Sequence, residues 1–335
     1  MDLYNIPGDD GNFWRINKLI DYKHFIPFAD TTFLAAYAKK YHLSNDDKIV
    51  LIWYHSVTYS EISAVYLFHR LNWRTITKSQ VKDFWGTYKP SICFSSSRRY
   101  AKNMDWFVPL MDSFMRAIKR KPFKWFSDVI KDTKDPVQRY NALWNEMSRW
   151  GFMGNFSISQ FLVCFIEMYS QGIFPYELAE DPGINWYKGA NMTSGLLNAL
   201  YLDEEANRFD KSGYLDPNLI PVLDNGLLIV QDLFAQKYPD DNSSFADITP
   251  RICPFRNLFK KSRYGGYHHD RQLEQLYAMQ EGQLADDQIA DSLFELRSEI
   301  YPSVFLGEVN GWRGIRKERK KLFVEKGLIG FEELQ

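Results

Sequence analysis

The chain has 335 residues, of which 45% are apolar and 25% are charged, the ordinary balance of a globular protein. Its formal net charge is −1, so only the distribution of charge can indicate a polyanionic partner. Three widely spaced cysteines without a CxxC pair exclude a disulfide framework and a cysteine zinc site, and no apolar run reaches 18 residues. With no signal-peptide pattern at the N-terminus, these features predict a soluble protein of the cytoplasm.

Helical periodicity dominates the chain, because apolar residues recur at intervals of three and four. Ser60 can cap a helix that follows a break near 56–60, and Pro136 stands where a first helical turn favours proline. Strand signals are confined to SICFS (91–95). The predicted helices cover 28–43, 46–71 with that break, 76–88, 101–119, 123–131, 135–150, 156–169, 193–203, 219–238 and 271–282. Without repeats or long linkers, this pattern predicts one all-α domain over 1–335.

Positive charge collects in four clusters. A single basic run is usually a solvated helix face, but four in a nearly neutral chain together indicate a polyanion bound through phosphate contacts. Rings lie between the basic residues, where they can stack on an exposed base. The clusters are Arg98, Arg99 and Lys102 after a serine-rich turn; residues 116–125; Lys260, Lys261, Arg263 and Arg271; and residues 312–321.

A turn with two glycines precedes the apolar helix predicted from Phe156. Gly151 and Gly154 come just before Asn155, whose side chain can cap that helix. Glycine lets a phosphate approach the backbone without a Cβ in the way. The alternative, in which the glycines only end one helix and begin the next, stays open.

A second glycine-rich stretch is DPGINWYKGANMTSG (181–195). Gly183, Lys188 and Gly189 precede a helix predicted to start at Thr193 or Ser194. Neither stretch follows the P-loop or the Rossmann pattern. If both stretches bind phosphate, they do so through backbone amides and single cations.

Four segments, SSSRRYAKNMDWF, WGFMGNFSISQFLVCFIEM, DPGINWYKG and IPVLDNGLLIVQDLFAQKY, resemble in order and spacing the enzymes of bacteriophage thymidine hypermodification. That family includes the alpha-glutamyl/putrescinyl thymine pyrophosphorylases and amino acid:DNA transferases. The resemblance spans about residues 90–275, and it implies a DNA-glycosylase-like fold, related to helix-hairpin-helix proteins, with its catalytic core in that range. The matching residues are Arg98, Arg99, Lys102, Trp150, Gly151, Gly154, Asn155, Phe156, Gln160, Pro182, Gly183 and Gly189.

The chain departs from the family pattern in two places. One extra residue separates Gly151 from Gly154, and Asn155 stands where the pattern has proline. Asp224, Asn225, Gln231 and Asp232 stand where the pattern is more acidic and carries a histidine. These departures leave the substrate open.

The resemblance implies a reaction on DNA that carries 5-(pyrophosphoryloxymethyl)uracil. An amine, expected to be the α-amino group of an amino acid, would displace pyrophosphate from the exocyclic methylene. Arg98, Arg99 and Lys102 are then candidates to stabilise the leaving pyrophosphate, with Lys188 second. The candidates that accept the amine proton are Asp224, Asp232, His268, His269 and Asp270, unranked. The candidates that bind substrate are Gly151, Gly154, Asn155, Phe156, Gln160, Trp186, Lys188, Arg263 and Arg271.

Two other classes stay open. A glycosylase-like enzyme would cut the base from its sugar with a carboxylate such as Asp210 or Asp224, and a non-catalytic subunit would only bind DNA. Adjacent histidines with one aspartate, as at 268–270, are usually surface residues near a helix start, so no protein metal site is predicted. Any Mg²⁺ would be held mainly by the pyrophosphate. The expected partners are DNA, an amine and other phage modification enzymes, in the cytoplasm of an infected bacterium.

Overall fold

The computed structural model describes residues 14–21, 30–89, 92–93, 104–151, 153–179, 190–239, 252, 255, 264, 267–281, 289–300 and 313–325. Across these residues the secondary structure is helical and contains no strand, which confirms the all-α class. Residues 92–93 are irregular, and the rest of the predicted strand over 91–95 lies outside the described residues. None of the described helices has the length and apolar character needed to cross a membrane.

Most helices follow the predicted segments, but those at 14–21, 203–212, 290–300 and 315–325 correspond to none of them. The helices are α1 (Trp14–Asp21), α2 (Asp30–Lys40), α3 (Asn45–Thr58), α4 (Glu61–Arg70), α5 (Lys78–Tyr88), α6 (Met104–Ala117), α7 (Pro122–Ile130), α8 (Pro136–Met147), α9 (Asn155–Ser170), α10 (Ala190–Ala199), α11 (Asp203–Ser212), α12 (Ile220–Lys237), α13 (Tyr267–Gln280), α14 (Ala290–Ile300) and α15 (Ile315–Glu325). A short 3₁₀ turn over Pro217–Leu219 leads into α12. Local periodicity and capping therefore account for most of the element order.

The chain divides into two compact units, each built from segments that are far apart in sequence. Unit 1 comprises Met1–Phe28, Gly183–Tyr267 and Glu308–Gln335, and unit 2 comprises Ala29–Pro182 and His268–Gly307. The single domain predicted over 1–335 stays a prediction. Its predicted core over 90–275 includes residues of both units.

Side-chain caps fix several helix starts. The Ser60 hydroxyl accepts a hydrogen bond from the Ser63 backbone N–H at 3.2 Å and begins α4. Just before it, Tyr59 adopts a left-handed φ of +49°, which ends α3. Asp135 caps α8 with Pro136 in the first turn. The predicted break, the predicted cap and the predicted proline position are all confirmed.

Helix α3 lies at the centre of the core of unit 2. Every residue from Ile49 to Thr58 is buried, because the helix packs against α4, α7 and α9. The Trp53 ring stacks on Phe114 with centroids 4.1 Å apart, and Phe161 meets it edge-on. This core places the starts of α4 and α9.

A buried arginine joins the helices of unit 1. Arg15 of α1 is 4% exposed, and its guanidinium donates to both Asp203 carboxylate oxygens at 2.9 and 3.0 Å. It also donates to the Asn198 carbonyl at 2.8 Å and lies over the Tyr201 ring, 4.1 Å from its centroid. We call these four residues the Arg15 network. It ties α1 to the end of α10 and the start of α11.

The predicted helix start at Thr193 or Ser194 is wrong. Helix α10 spans Ala190–Ala199, so both residues lie inside it, and both are fully buried. The Ser194 hydroxyl donates to the Asp210 carboxylate on α11. Burial against α11 and α12 overrides the capping preference that serine and threonine have in isolation.

Candidate functional site

Several predicted site residues lie outside the described residues. Of the catalytic candidates these are Arg98, Arg99 and Lys102, and of the binding candidates Trp186, Lys188 and Arg263, together with Pro182, Gly183 and Gly189. Phe156 is the second residue of α9, and only its backbone is described. These assignments therefore stay predictions.

The glycine turn in front of α9 is present, but it is capped differently from the prediction. Gly154 is the N-cap, with an extended backbone at φ −85° and ψ 163° and no side-chain cap. Asn155 is the first helical residue and so does not cap the helix, contrary to the prediction. The Gly154 carbonyl accepts the N–H groups of Ser157 and Ile158 at 2.8 and 3.1 Å. The helix therefore starts one residue earlier than predicted.

The two glycines of that turn are not required by packing. A Cβ built on Gly151 or Gly154 meets no atom within 4 Å, and neither residue has a positive φ. Both are exposed, and Gln160 in the second turn of α9 is half-buried. The backbone at the start of α9 is thus open to a ligand, whereas the chain itself would tolerate a side chain there.

The sequence HHD stands at the start of α13, but it is largely buried rather than on the surface as predicted. His269 is 8% exposed and Asp270 is fully buried. The His269 Nδ1 atom lies 3.8 Å from a carboxylate oxygen of Glu61, the first residue of α4, which is also fully buried. When the imidazole carries a proton the two side chains form an ion pair, so the arrangement can receive a proton from a bound ligand.

Two further side chains, one on α13 and one on α14, contact the backbone at or near this pair. His268 contacts the backbone carbonyl of Tyr59 through its Nε2 atom. Arg297 of α14 is 1% exposed, and its guanidinium reaches the carbonyl of His269 at 3.5 Å. We call the group formed by Glu61, His268, His269, Asp270, Gln272 and Arg297 the acid–imidazole cluster.

Gln272 differs from its neighbours in the cluster. It is fully buried, and neither its amide nitrogen nor its amide oxygen has a hydrogen-bond partner. On α13 it lies one turn after His268 and one turn before Gln275, whose amide oxygen is 3.5 Å from the Ser63 hydroxyl. Gln272 therefore occupies the stripe of α13 that faces the first turns of α4. An unsatisfied buried amide costs about 1–3 kcal/mol.

Tyr59 links the acid–imidazole cluster to the start of α9. Its carbonyl is the contact of His268, while its hydroxyl donates to the Ser157 hydroxyl at 3.2 Å. Ser157 is the third residue of α9 and is buried. Tyr59, whose backbone is in the left-handed conformation, thus connects the starts of α4, α9 and α13. Helix starts carry a partial positive charge, so the arrangement can balance nearby anions.

The other acid–base candidates are in unit 1. Asp224 and Asp232 lie on α12, and both are exposed. Asp210 accepts the hydrogen bond from Ser194, which gives it a structural partner. The predicted proton acceptors are therefore divided between the units, and of these only His268, His269 and Asp270 belong to a buried polar group. Arg271 follows them on α13 and is half-buried.

The basic cluster at 116–125 is mostly engaged with the chain itself. Arg116 pairs with Asp112 at 3.2 Å, and Lys124 pairs with Asp128 at 2.9 Å. Arg120 donates to the carbonyls of residues 73, 74 and 76 at 3.1, 2.9 and 2.5 Å. Of its five cations, only Lys119 and Lys121 make no such contact with the described residues. Because three of its five cations are engaged within the chain, this cluster has fewer cations available for phosphate binding than the sequence predicts.

Sequence reasoning missed Glu61, Gln272, Arg297 and the role of Tyr59. The one signal available for Glu61 was a carboxylate directly after the Ser60 cap in an apolar segment. It also resembles an ordinary first-turn acid. Among the described residues, no group of three or more histidines, cysteines or acids could hold a metal ion.

Comparison with protein-family models, with curated proteins and with solved structures found no match to this chain.

Proposed function

We propose that this protein is a transferase that modifies a thymine-derived base in DNA, with a helical fold of the DNA-glycosylase type. The observation that carries the proposal is the buried pair of Glu61 and His269, 3.8 Å apart where α4 and α13 begin. The resemblance over residues 90–275 supplies the reaction class. The glycine turn of that resemblance begins α9, which Tyr59 connects to the pair.

The proposed step replaces pyrophosphate by an amine. The amine lone pair attacks the exocyclic methylene of 5-(pyrophosphoryloxymethyl)uracil, a carbon–nitrogen bond forms, and the carbon–oxygen bond to pyrophosphate breaks. Pyrophosphate leaves with the electron pair of that bond. The ammonium that forms as the carbon–nitrogen bond is made gives its proton to His269, and the Glu61 carboxylate stabilises the resulting imidazolium. General-base assistance of this kind contributes about 10²–10⁴ in rate.

The leaving pyrophosphate needs positive partners. In this proposal Arg98, Arg99 and Lys102 contact it, and any Mg²⁺ is held mainly by the phosphates. The open backbone at Gly151 and Gly154 supplies amide groups without a side chain in the way.

The target base must leave the duplex to reach these groups. Phe156 is proposed to stack on the flipped base and Gln160 to bind its edge, while Arg271 contacts the DNA backbone. Asp224 and Asp232 are secondary candidates for the proton acceptor. The proposed setting is the cytoplasm of an infected bacterial host, together with the enzymes that prepare the modified base.

The direct test uses duplex DNA that carries the pyrophosphorylated base, a mixture of amino acids and the purified full chain. After digestion to nucleosides, we expect a new mass in which an amino acid replaces pyrophosphate and the deoxyribose is retained, with release of pyrophosphate. DNA with unmodified thymine is the control. Free base with an abasic site would instead identify a glycosylase. DNA binding without any new mass or base loss would identify a non-catalytic subunit.

A further inference from the structure

Helix α15 of unit 1 is anchored by one face. Ile315, Arg319 and Phe323 are each at most 2% exposed, and the Phe323 ring packs on Tyr264 with centroids 5.3 Å apart. Arg316 donates to the Tyr267 hydroxyl at 2.9 Å. These contacts fix the rotation of the helix about its axis, so the residues on the other side point away from unit 1.

The outward side is a stripe of cations. Lys317, Lys320, Lys321 and Val324 are exposed and follow the three- and four-residue spacing of one helix face. Neither Lys317 nor Lys320 forms an ion pair with any part of the chain that the structure describes. Lys321 pairs with Glu325 at 3.8 Å, and because both side chains are mostly exposed that pair is worth little. We call these four residues the α15 stripe.

One feature distinguishes this stripe from the basic cluster at 116–125. In that cluster Arg116, Arg120 and Lys124 are bound to the chain's own acceptors, and the other two cations, Lys119 and Lys121, lie in the turn between α6 and α7. In the α15 stripe, the available ammonium groups of Lys317 and Lys320 lie on one face of a helix.

We propose that the α15 stripe binds the phosphate backbone of duplex DNA. This inference rests on the proposed function in that DNA is taken as the substrate. Lys317 to Lys321 span about 6 Å of helix axis, and each strand of a duplex carries one charge per about 3.4 Å, so the stripe faces about two phosphates of one strand. The acids of the helix lie along one edge of the stripe, since Glu318 is one turn before Lys321 and Glu325 pairs with it. The stripe contacts phosphates and reads no bases.

The test compares two charge-matched double variants of the full chain on unmodified duplex DNA. Each neutralised phosphate contact contributes about 0.9 to the slope of log affinity against log salt. We expect Lys317→Gln with Lys320→Gln to reduce the slope of the wild type by about 2. The control, Lys78→Gln with Lys82→Gln, removes two exposed lysines one turn apart on α5 of unit 2, outside every basic cluster, and is expected to leave the slope unchanged.

Three results would overturn the inference: no salt-dependent DNA binding by the wild type, an unchanged slope in the α15 variant, or an equal reduction in both variants. Competition by polyglutamate as effective as duplex DNA at equal charge would instead assign the stripe to acidic proteins. Nucleoside masses from modified DNA are measured in parallel. If no amine transfer is detected but the salt slopes change as expected, the proposed function is rejected and the inference about the α15 stripe is kept. If transfer is normal but the slope of the α15 variant is unchanged, the inference is rejected and the proposed function is kept.

Discussion

The two units bury charged groups in contrasting ways. In the Arg15 network, a guanidinium that is 4% exposed meets carboxylate oxygens at 2.9 and 3.0 Å, a carbonyl at 2.8 Å and a ring face. In the acid–imidazole cluster, Glu61 and His269 are 3.8 Å apart, and the amide of Gln272 has no partner.

We interpret this contrast as one between a structural role and the proposed catalytic role. Close, charge-assisted hydrogen bonds around Arg15 stabilise the contact of three helices. The amide of Gln272 is costly for folding, and a buried carboxylate and imidazole are residue types suited to proton transfer, which is why the proposal assigns chemistry to this cluster. The variants below test that division, beginning with the largest expected effect.

Replacing His269 should abolish most turnover. We expect His269→Asn to lower the rate of transfer about a hundredfold or more, because it removes the proton acceptor while keeping a polar side chain. Single-turnover rates on modified DNA measure this change. His42→Asn is the matched control, since His42 is exposed and has a left-handed φ of +49° that asparagine tolerates. Full activity of a folded His269→Asn variant would remove His269 from the mechanism.

Replacing Arg15 should cost stability instead. We expect Arg15→Met to lower the free energy of unfolding by about 2 kcal/mol, because it loses hydrogen bonds to a charged partner. Turnover per folded molecule should be unchanged. Urea denaturation measures the loss of stability. Arg208→Met, at an exposed position of α11, is the control. A variant Arg15→Met that is as stable as the wild type but inactive would contradict the structural role assigned to the Arg15 network.

Asp47 extends the structural side of the comparison to unit 2. Burial by itself would raise the pKa of Asp47, but hydrogen bonds from Ser44, Arg74 and the Trp73 indole outweigh it and lower the pKa below its usual value. The stability that this carboxylate contributes is therefore present above its unfolded pKa of about 3.9 and is lost as the pH falls through the lower folded value.

We accordingly expect Asp47→Asn to destabilise the protein by about 1–2 kcal/mol at pH 7 and by progressively less below about pH 4. Asp83→Asn, at an exposed position of α5, is the control. Denaturation midpoints at a series of pH values measure the difference. A destabilisation that stays constant down to pH 2 would show that the Asp47 charge contributes nothing.

Gln272 should give the smallest change, with the opposite sign. Gln272→Leu replaces an unpaired amide by an apolar side chain of similar size, so we expect a gain of about 1 kcal/mol in unfolding free energy and a lower rate of transfer. Gln236→Leu on exposed α12 surface is the control. A clear loss of stability would mean that the amide is satisfied in solution, which would weaken the contrast with Arg15.

The sequence predicted what depends on local interactions. The Ser60 cap, the break before it and Pro136 at a first turn are signals contained within a few residues, and all three are present in the structure. Thr193 and Ser194 failed as caps because tertiary burial placed them inside α10. Local rules name the residue types that suit a cap but do not weigh packing against them.

The candidate site was only half predictable. His269 and Asp270 stood out as a rare residue combination, whereas the contact with Glu61 joins residues 208 positions apart, and no local pattern encodes it. The same holds for Arg297, because in the sequence it is a single cation with no neighbouring motif. Rules based on residue spacing do not predict contacts between residues that only tertiary folding brings together, even where each residue is identified as a candidate.

The central claim is that Glu61 and His269 act together in amine transfer, and a double-mutant cycle on transfer rate tests it most directly. Glu61→Gln, His269→Asn and the double variant are compared with the wild type in single turnovers on modified DNA, with circular dichroism to confirm folding. We predict that the double variant loses little more than His269→Asn alone, because residues that act as a unit are not additive. Losses that multiply across the two sites, or full activity in the folded double variant, would contradict the claim.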